Sequence, residues 1–213
     1  MKDYQVILDE AKKGMGFVPN SLQAMAAKPN ILGSFSMLFA NVRGFSTAKV
    51  SVWKGLQLQL KNMRWMIQAK KAKDQEVPTY LKDLVAHVSS NAAGCRYCQA
   101  HTAHTAHRHG VEIEKLQKVW EFQTSDLFSE AERAALSFAQ AAGSVPNQVS
   151  AEHHAELEKY YSQAQIVEIA ATVAVFGFLN RWNDSMATQI EDEPFEFASK
   201  HLSANWEAGK HRN

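Results

Sequence analysis

Hydrophobic residues recur at three- and four-residue steps along most of the chain, which is the periodicity of amphipathic helices. The clearest runs cover residues 50–70, the segment that Pro78 opens, and residues 162–180. No segment alternates apolar and polar residues for long enough to indicate a sheet. The pattern therefore predicts an all-α, bundle-like protein, with residues 1–213 as a single helical domain.

Capping residues mark where several of these helices begin and end. Ser129, followed three residues later by Glu132, is a capping box. Residues 91–94 resemble a helix stop, and a new helix is predicted from about Cys95 to Gly110. The 162–180 helix is apolar nearly all round, which predicts a central place in the bundle. A last amphipathic helix is predicted over residues 194–206.

The two halves of the chain show an internal sequence correspondence at an offset of 85 residues. Three chemically prominent residues of the first half each have a counterpart in the second, namely Asp83 with Glu168, Cys95 with Asn180 and Cys98 with Asn183. This correspondence favours an internally duplicated helical motif. The first repeat, about residues 50–110, carries both thiols; the second, about residues 129–190, carries none.

Charge and hydropathy exclude several classes of protein. Lys plus Arg is 23 and Asp plus Glu is 22, giving a net charge of +1, whereas nucleic-acid binders are usually strongly basic. The most apolar stretch, 166–179, is short for a membrane span and contains Glu168. The first residues lack the apolar run of a signal peptide. We therefore expect no nucleic-acid or membrane partner and a cytoplasmic location.

Both cysteines of the chain lie within four residues, Cys95 and Cys98, at the predicted start of a helix. The positive end of the helix dipole stabilises a thiolate there. His101 lies three residues after Cys98 on the same helix face, where it could exchange the thiol proton. The two sulfurs are spaced to close a disulfide. Asp83, on the preceding helix, is predicted to orient His101 or to relay a proton.

Two other interpretations of these cysteines exist. One is a pair of buried structural residues, and the other is a zinc site. Six thiols and imidazoles lie within fifteen residues, Cys95, Cys98, His101, His104, His107 and His109. A single straight helix cannot wrap four of them around one ion, so zinc would need a remote ligand or a second chain. We predict no metal and no cofactor; no nucleotide-binding or GxSxG motif occurs either.

Four segments together resemble the carboxymuconolactone decarboxylase superfamily, in particular its AhpD-like, peroxidase-related branch. They are residues 16–20 followed by 27–29, then 81–98, 130–136 and 180–182. The resemblance implies an AhpD-like helical bundle built of a repeated motif and assembled as homotrimers or hexamers. It also implies reduction of hydroperoxides by the CxxC thiols, which an external dithiol donor, protein or lipoyl-like, restores.

The resemblance assigns attack on the peroxide to Cys98 and resolution to Cys95. Helix-dipole reasoning alone favours the more N-terminal thiol, Cys95, for the attack. The sequence departs from the AhpD motif at two positions. Asp83 stands where the motif has Glu, and Thr102 stands where it has His, so that His101 comes one residue early.

The predicted function is therefore a thiol-dependent peroxidase that reduces alkyl hydroperoxides or hydrogen peroxide through Cys95 and Cys98 in an antioxidant role. A cofactor-free lyase resembling the lactone decarboxylases is one alternative, with Arg96 or Arg181 holding a small carboxylate. A redox-sensing protein whose disulfide alters its assembly is another.

Overall fold

A computed structural model describes residues 4–43, 56, 60, 63, 64, 76–202 and 206–212. Within these residues the chain forms ten α-helices and two short 3₁₀ helices, and no β-strand. The all-α prediction is confirmed. Of the predicted 50–70 helix, only positions 56, 60, 63 and 64 are described, and all four are helical; the rest lies outside the described residues.

The chain divides into two compact units, Met1–Glu76 and Val77–Asn213. The first unit contains α1 (Gln5–Met15), α2 (Asn20–Met25) and α3 (Pro29–Arg43). Ile7, Leu8 and Leu32 form its small buried cluster. The single-domain organisation over residues 1–213 stays a prediction.

The second unit contains the other seven α-helices and carries both cysteines. Their bounds are α4 (Thr79–Ala92), α5 (Arg96–Arg108), α6 (Ile113–Gln117), α7 (Glu130–Gly143), α8 (Ala151–Tyr160), α9 (Gln163–Met186) and α10 (Asp192–His201), with 3₁₀ turns at Val119–Glu121 and Gly209–His211. The capping box predicted at Ser129 is present. The last helix begins at Asp192 and ends at His201, so the predicted bounds of 194–206 are wrong at both ends.

Helix α4 occupies the centre of the second unit. Eight of its fourteen residues are buried, and Leu84, Val85 and Val88 are fully enclosed. Its contact with α7 is close, because a Cβ atom added to Gly143 would lie only 2.6 Å from the backbone oxygen of Ser89. Glycine at position 143 therefore lets the two backbones approach.

Helix α9 does not hold the central place that its composition predicts. Although it is the longest described helix, only five of its 24 residues are buried. Large apolar side chains on its other side are exposed in the single chain, namely Val175, Phe178, Trp182 and Met186. The helix is thus apolar all round because one face packs against α4 and α7, while the described residues of the second unit leave another apolar face exposed.

The same helix is longer than the apolar stretch 166–179. Among the described residues it is the one helix long and apolar enough to cross a membrane, with a mean hydropathy of 1.3 in its best window. This criterion rests on length and composition only, and core helices meet it too. Its polar residues Glu168 and Asn183 are bonded within the unit, to Lys82 and Cys98 respectively.

Candidate functional site

The turn between α4 and α5 positions the two cysteines. Gly94 adopts a left-handed conformation with φ of 79°, which glycine tolerates without strain. The chain then enters α5, with Cys95 as the N-cap residue. Cys95 Sγ accepts a hydrogen bond from the backbone N–H of Cys98 at 3.4 Å. The predicted placement of both thiols at a helix start is confirmed.

The two free thiols shift each other's pKa in opposite directions. The neighbouring Cys98 thiol lowers the pKa of Cys95, and backbone N–H groups of the helix start add to the effect against the opposing influence of burial. The neighbouring Cys95 thiol and burial raise the pKa of Cys98, and the amide of Asn183, which donates to its sulfur, opposes this shift in part. These directions and the N-cap position of Cys95 favour Cys95 as the thiolate, whereas the family resemblance assigns the attack to Cys98.

Both sulfurs lie below the protein surface. Cys95 is 1% exposed and Cys98 is 2% exposed. The two thiols are thus enclosed to the same extent, and neither is the more exposed. A reagent reaches either sulfur only when neighbouring side chains move aside.

His101 lies beside a carboxylate that sequence analysis did not identify. Its Nε2 atom is 2.7 Å from Glu191 Oε2, and its ring stacks on Tyr97 with centroids 4.2 Å apart. Tyr97 donates its hydroxyl to the other oxygen of Glu191 at 3.4 Å. Burial lowers the pKa of His101, and the carboxylate of Glu191 raises it by less. The imidazole is therefore mostly neutral at pH 7 and able to accept a proton.

Asp83 does not reach His101. Its Oδ2 atom lies 2.6 Å from Nδ1 of His109 instead. Helices α4 and α5 run in opposite directions from the turn at Gly94, and Asp83 precedes that glycine by eleven residues. At about 1.5 Å per residue it lies roughly 16 Å along the hairpin, beside the end of α5. The predicted pairing of Asp83 with His101 is thus replaced by that of Glu191 with His101.

His87 is a second residue near the thiols to which the sequence assigned no role. It is buried, and its Nδ1 atom lies 2.9 Å from Thr102 Oγ1. The hydroxyl of Thr102 donates to the backbone oxygen of Cys98 at 2.6 Å. Burial lowers the pKa of His87 to about 4, although the backbone of Gln99 opposes the shift. His87 is therefore neutral at physiological pH.

Two of the other histidines of α5 pack on the last long helix. The rings of His104 and His107 have centroids 5.5 and 5.2 Å from that of Phe197. Nowhere in the described part of the chain do three His, Cys, Asp or Glu side chains come together as a group of metal ligands.

Comparison with known proteins gives the family. The model of the carboxymuconolactone decarboxylase family matches residues 56–141. The crystal structure of the debrominase Bmp8 is 36% identical over 92% of this chain and 89% of its own, with a TM-score of 0.55. A cysteine-to-alanine variant of that enzyme, in complex with 2,3,4-tribromopyrrole, gives 35% identity over 93% and 91%, with a TM-score of 0.57. The chain belongs to the carboxymuconolactone decarboxylase family.

Two more distant structures share the fold. One is a protein of unknown function from Agrobacterium tumefaciens, suggested to be an AhpD antioxidant defence protein, at 17% identity over 69% of this chain and 95% of that one, with a TM-score of 0.50. The other is the AhpD core of a peroxidase-related protein from Ralstonia eutropha JMP134, at 18% identity over 92% and 88%, with a TM-score of 0.50. The AhpD-like helical fold is therefore confirmed. No curated protein sequence matches the chain.

Proposed function

We propose that this protein is a thiol-dependent oxidoreductase whose Cys95–Cys98 pair reduces a small oxidant by two electrons and becomes a disulfide. The observation that carries this proposal is the pair of free thiols at the start of α5, where Cys95 is the N-cap residue and its sulfur accepts a hydrogen bond from the backbone N–H of Cys98. The lower pKa of Cys95 makes it the nucleophile, and Cys98 is the resolving thiol. The family and the AhpD-like fold make a hydroperoxide the first candidate for the oxidant.

With a hydroperoxide the reaction balances in two steps. The Cys95 thiolate attacks one peroxide oxygen, so that an S–O bond forms, the O–O bond breaks and the alcohol leaves after protonation. Cys98 then attacks the resulting sulfenic acid, giving the disulfide and water. His101 lies one helical turn beyond Cys98 and accepts the thiol proton in this second step. Glu191 stabilises the imidazolium that forms.

A second candidate is reductive dehalogenation of a halogenated aromatic compound. The 36% identity to a debrominase over 92% of the chain favours it. Here the thiolate of Cys95 takes the halogen from a ring that is protonated at the same carbon. Cys98 then displaces halide from the sulfenyl halide and forms the disulfide. The ring carbon gains a hydrogen, and the two thiols supply both electrons.

Single-turnover reactions of the fully reduced protein test both candidates. Cumene hydroperoxide, hydrogen peroxide and 2,3,4-tribromopyrrole are mixed with it in turn, and loss of thiols is compared with the alcohol or bromide formed. We expect one disulfide per molecule of product with at least one of these oxidants. Cys95→Ser abolishes the first step, whereas Cys98→Ser stops at a sulfenic acid that dimedone traps.

Three outcomes would count against the proposal. Unchanged turnover in Cys95→Ser and Cys98→Ser alike would remove the thiols from the reaction. Turnover of a carboxymuconolactone by the doubly substituted protein would favour the lyase. Thiols that oxidise with no consumption of any substrate, but with a change in molecular mass, would favour a redox sensor.

We also propose that the protein is a homo-oligomer. The exposed side chains Phe178, Trp182 and Met186 of α9 border a groove of about 1060 Å³, and exposed apolar patches of this kind mark protein interfaces. Light scattering after size-exclusion chromatography should give a trimer or hexamer. Replacing Phe178 and Trp182 with Lys should give monomers, whereas the same change at exposed Glu152 and Glu158 of α8 should not.

A further inference from the structure

A second, smaller cavity lies beside the part of α5 that carries Arg96 and Gln99. Its volume is about 290 Å³, at the lower end of the range for small-molecule sites. The indoles of Trp120 and Trp206 contribute to its wall. Arg96 directly follows Cys95, and Gln99 lies one turn beyond it on the same side of the helix. The cavity thus shares a stretch of α5 with the thiol pair.

His87 lines this cavity and has one ring nitrogen without a partner among the described residues. The hydroxyl of Thr102 gives its single hydrogen to the Cys98 carbonyl, so it can only accept from His87. Nδ1 of His87 therefore carries the proton, and in the neutral ring Nε2 has no proton and is a hydrogen-bond acceptor. Nε2 is buried and has no hydrogen-bond partner. A buried acceptor of this kind is destabilising until a donor reaches it.

Arg96 gives the cavity its charge. Among the described residues that line it there is no Asp or Glu, and Arg96 is the one side chain with a full positive charge. One guanidinium nitrogen donates to Gln99 Oε1 at 3.2 Å, and Trp206 donates to the same oxygen at 3.1 Å. Both bonds fix the wall, while the guanidinium has further N–H groups to offer an anion.

We propose that this cavity binds a small planar aromatic compound that carries an anionic group and a hydrogen-bond donor. The anionic group pairs with Arg96, the donor reaches Nε2 of His87, and the ring lies among the side chains of Trp120 and Trp206. The inference goes beyond the proposed function, since neither cysteine is among the described residues that line this cavity. Aromatic faces and a guanidinium together suit such a ligand.

Binding is tested without turnover, using full-length protein with Cys95→Ser and Cys98→Ser. The probe is 4-hydroxybenzoate, followed by tryptophan fluorescence and by calorimetry, with benzoate as the analogue that lacks the donor. We expect saturable 1:1 binding of 4-hydroxybenzoate and roughly tenfold weaker binding of benzoate, about the effect of one unsatisfied hydrogen bond.

Substitutions separate the two contacts. His87→Asn keeps a donor towards Thr102 but lacks the distal acceptor, and it should abolish the preference for 4-hydroxybenzoate over benzoate. Arg96→Gln should weaken both ligands by about tenfold or more, as loss of a charged partner does. Arg108→Gln removes the same charge from an exposed position on the same helix, outside the cavity, and should leave both affinities unchanged.

The proposal is overturned if neither ligand saturates, or if Arg96→Gln and Arg108→Gln bind equally well. Should His87→Asn not fold, equal affinity of the parent protein for the two ligands would also overturn it. These failures are distinct from failure of the proposed function. Hydroperoxide turnover without probe binding removes the cavity site only, and probe binding to a protein whose thiols never react removes the redox function only.

Discussion

The side-chain amide of Asn183 donates a hydrogen bond to Cys98 Sγ across 3.7 Å, although the two residues are 85 positions apart. They are also one of the three pairs of residues that correspond at this offset in the sequence. Matched positions meet where two similar units face each other about a local twofold axis. A duplicated helical motif would produce such a contact, and the duplication with its repeat boundaries stays a prediction.

This bond leads to a prediction about the second chemical step. Asn183 lowers the pKa of Cys98 against burial, so Asn183→Ala should raise that pKa further and slow disulfide closure. The first oxidation step, at Cys95, should keep its rate. Stopped-flow measurement of sulfenic acid formation and decay separates the two phases. Asn183→Ser, which retains a donor, should recover part of the closure rate; an equal slowing of both phases would contradict the assigned role.

The pairing of His101 with Glu191 predicts a shift in pH dependence. Glu191 raises the pKa of His101, so Glu191→Gln should lower it. If neutral His101 accepts the Cys98 proton, the rate of disulfide closure falls at low pH, where His101 becomes protonated. This fall, the acidic limb of the pH–rate profile, should move to lower pH in Glu191→Gln. The rate is measured from pH 4 to 8, and NMR titration of the ring reports its pKa directly.

Two other carboxylates supply the controls for this shift. Glu193→Gln removes an exposed charge two residues away, and Asp83→Asn removes the partner of His109. Neither change should move the acidic limb. A shift in Asp83→Asn without one in Glu191→Gln would restore the role that the sequence predicted for Asp83.

The glycines of α7 and α9 should respond to alanine with opposite signs. Gly→Ala within a helix normally stabilises a protein by up to about 1 kcal/mol. A Cβ atom at Gly143 would lie 2.6 Å from the Ser89 backbone oxygen, whereas one at Gly177 meets nothing within 4 Å. Urea denaturation should show Gly143→Ala destabilised by about 2 kcal/mol, as overpacking does. Gly177→Ala should be neutral or stabilised, and the same sign for both would contradict the close approach of α4 and α7.

The sequence was sufficient for features that depend on neighbouring residues. The helix starts at Pro78 and Ser129 and the placement of Cys95 at a helix N-terminus follow from local patterns. Asp83 was misplaced although counting residues from Gly94 along a helical hairpin would have located it. Glu191, 90 residues after His101, has no local signal beyond the acidic run that begins the last helix. The burial of His87 likewise depends on long-range packing.

The ion pair between Lys115 and Glu132 predicts how stability depends on pH. Nζ of Lys115 lies 2.6 Å from Oε1 of Glu132, and the other carboxylate oxygen accepts from the backbone N–H and the hydroxyl of Ser129. Burial would raise the pKa of Glu132, but these partners outweigh it and lower the pKa below the ordinary value of 4.5. A carboxylate whose pKa is lower in the folded state stabilises the protein above its unfolded pKa. That contribution is lost as the pH falls through the folded pKa.

Glu132→Gln should therefore lower the free energy of unfolding by about 3 kcal/mol at pH 7, since it leaves a largely buried ammonium without its partner. The difference from the parent protein should shrink as the pH falls below 4.5, because the parent carboxyl then becomes protonated as well. Urea denaturation at a series of pH values measures both effects. The matched control is Glu130→Gln, which removes an exposed charge paired with Arg133 and should change stability by less than about 1 kcal/mol. A loss in Glu132→Gln that is equally large at pH 7 and pH 3 would mean that side-chain packing, and not the ionised carboxylate, is what residue 132 contributes.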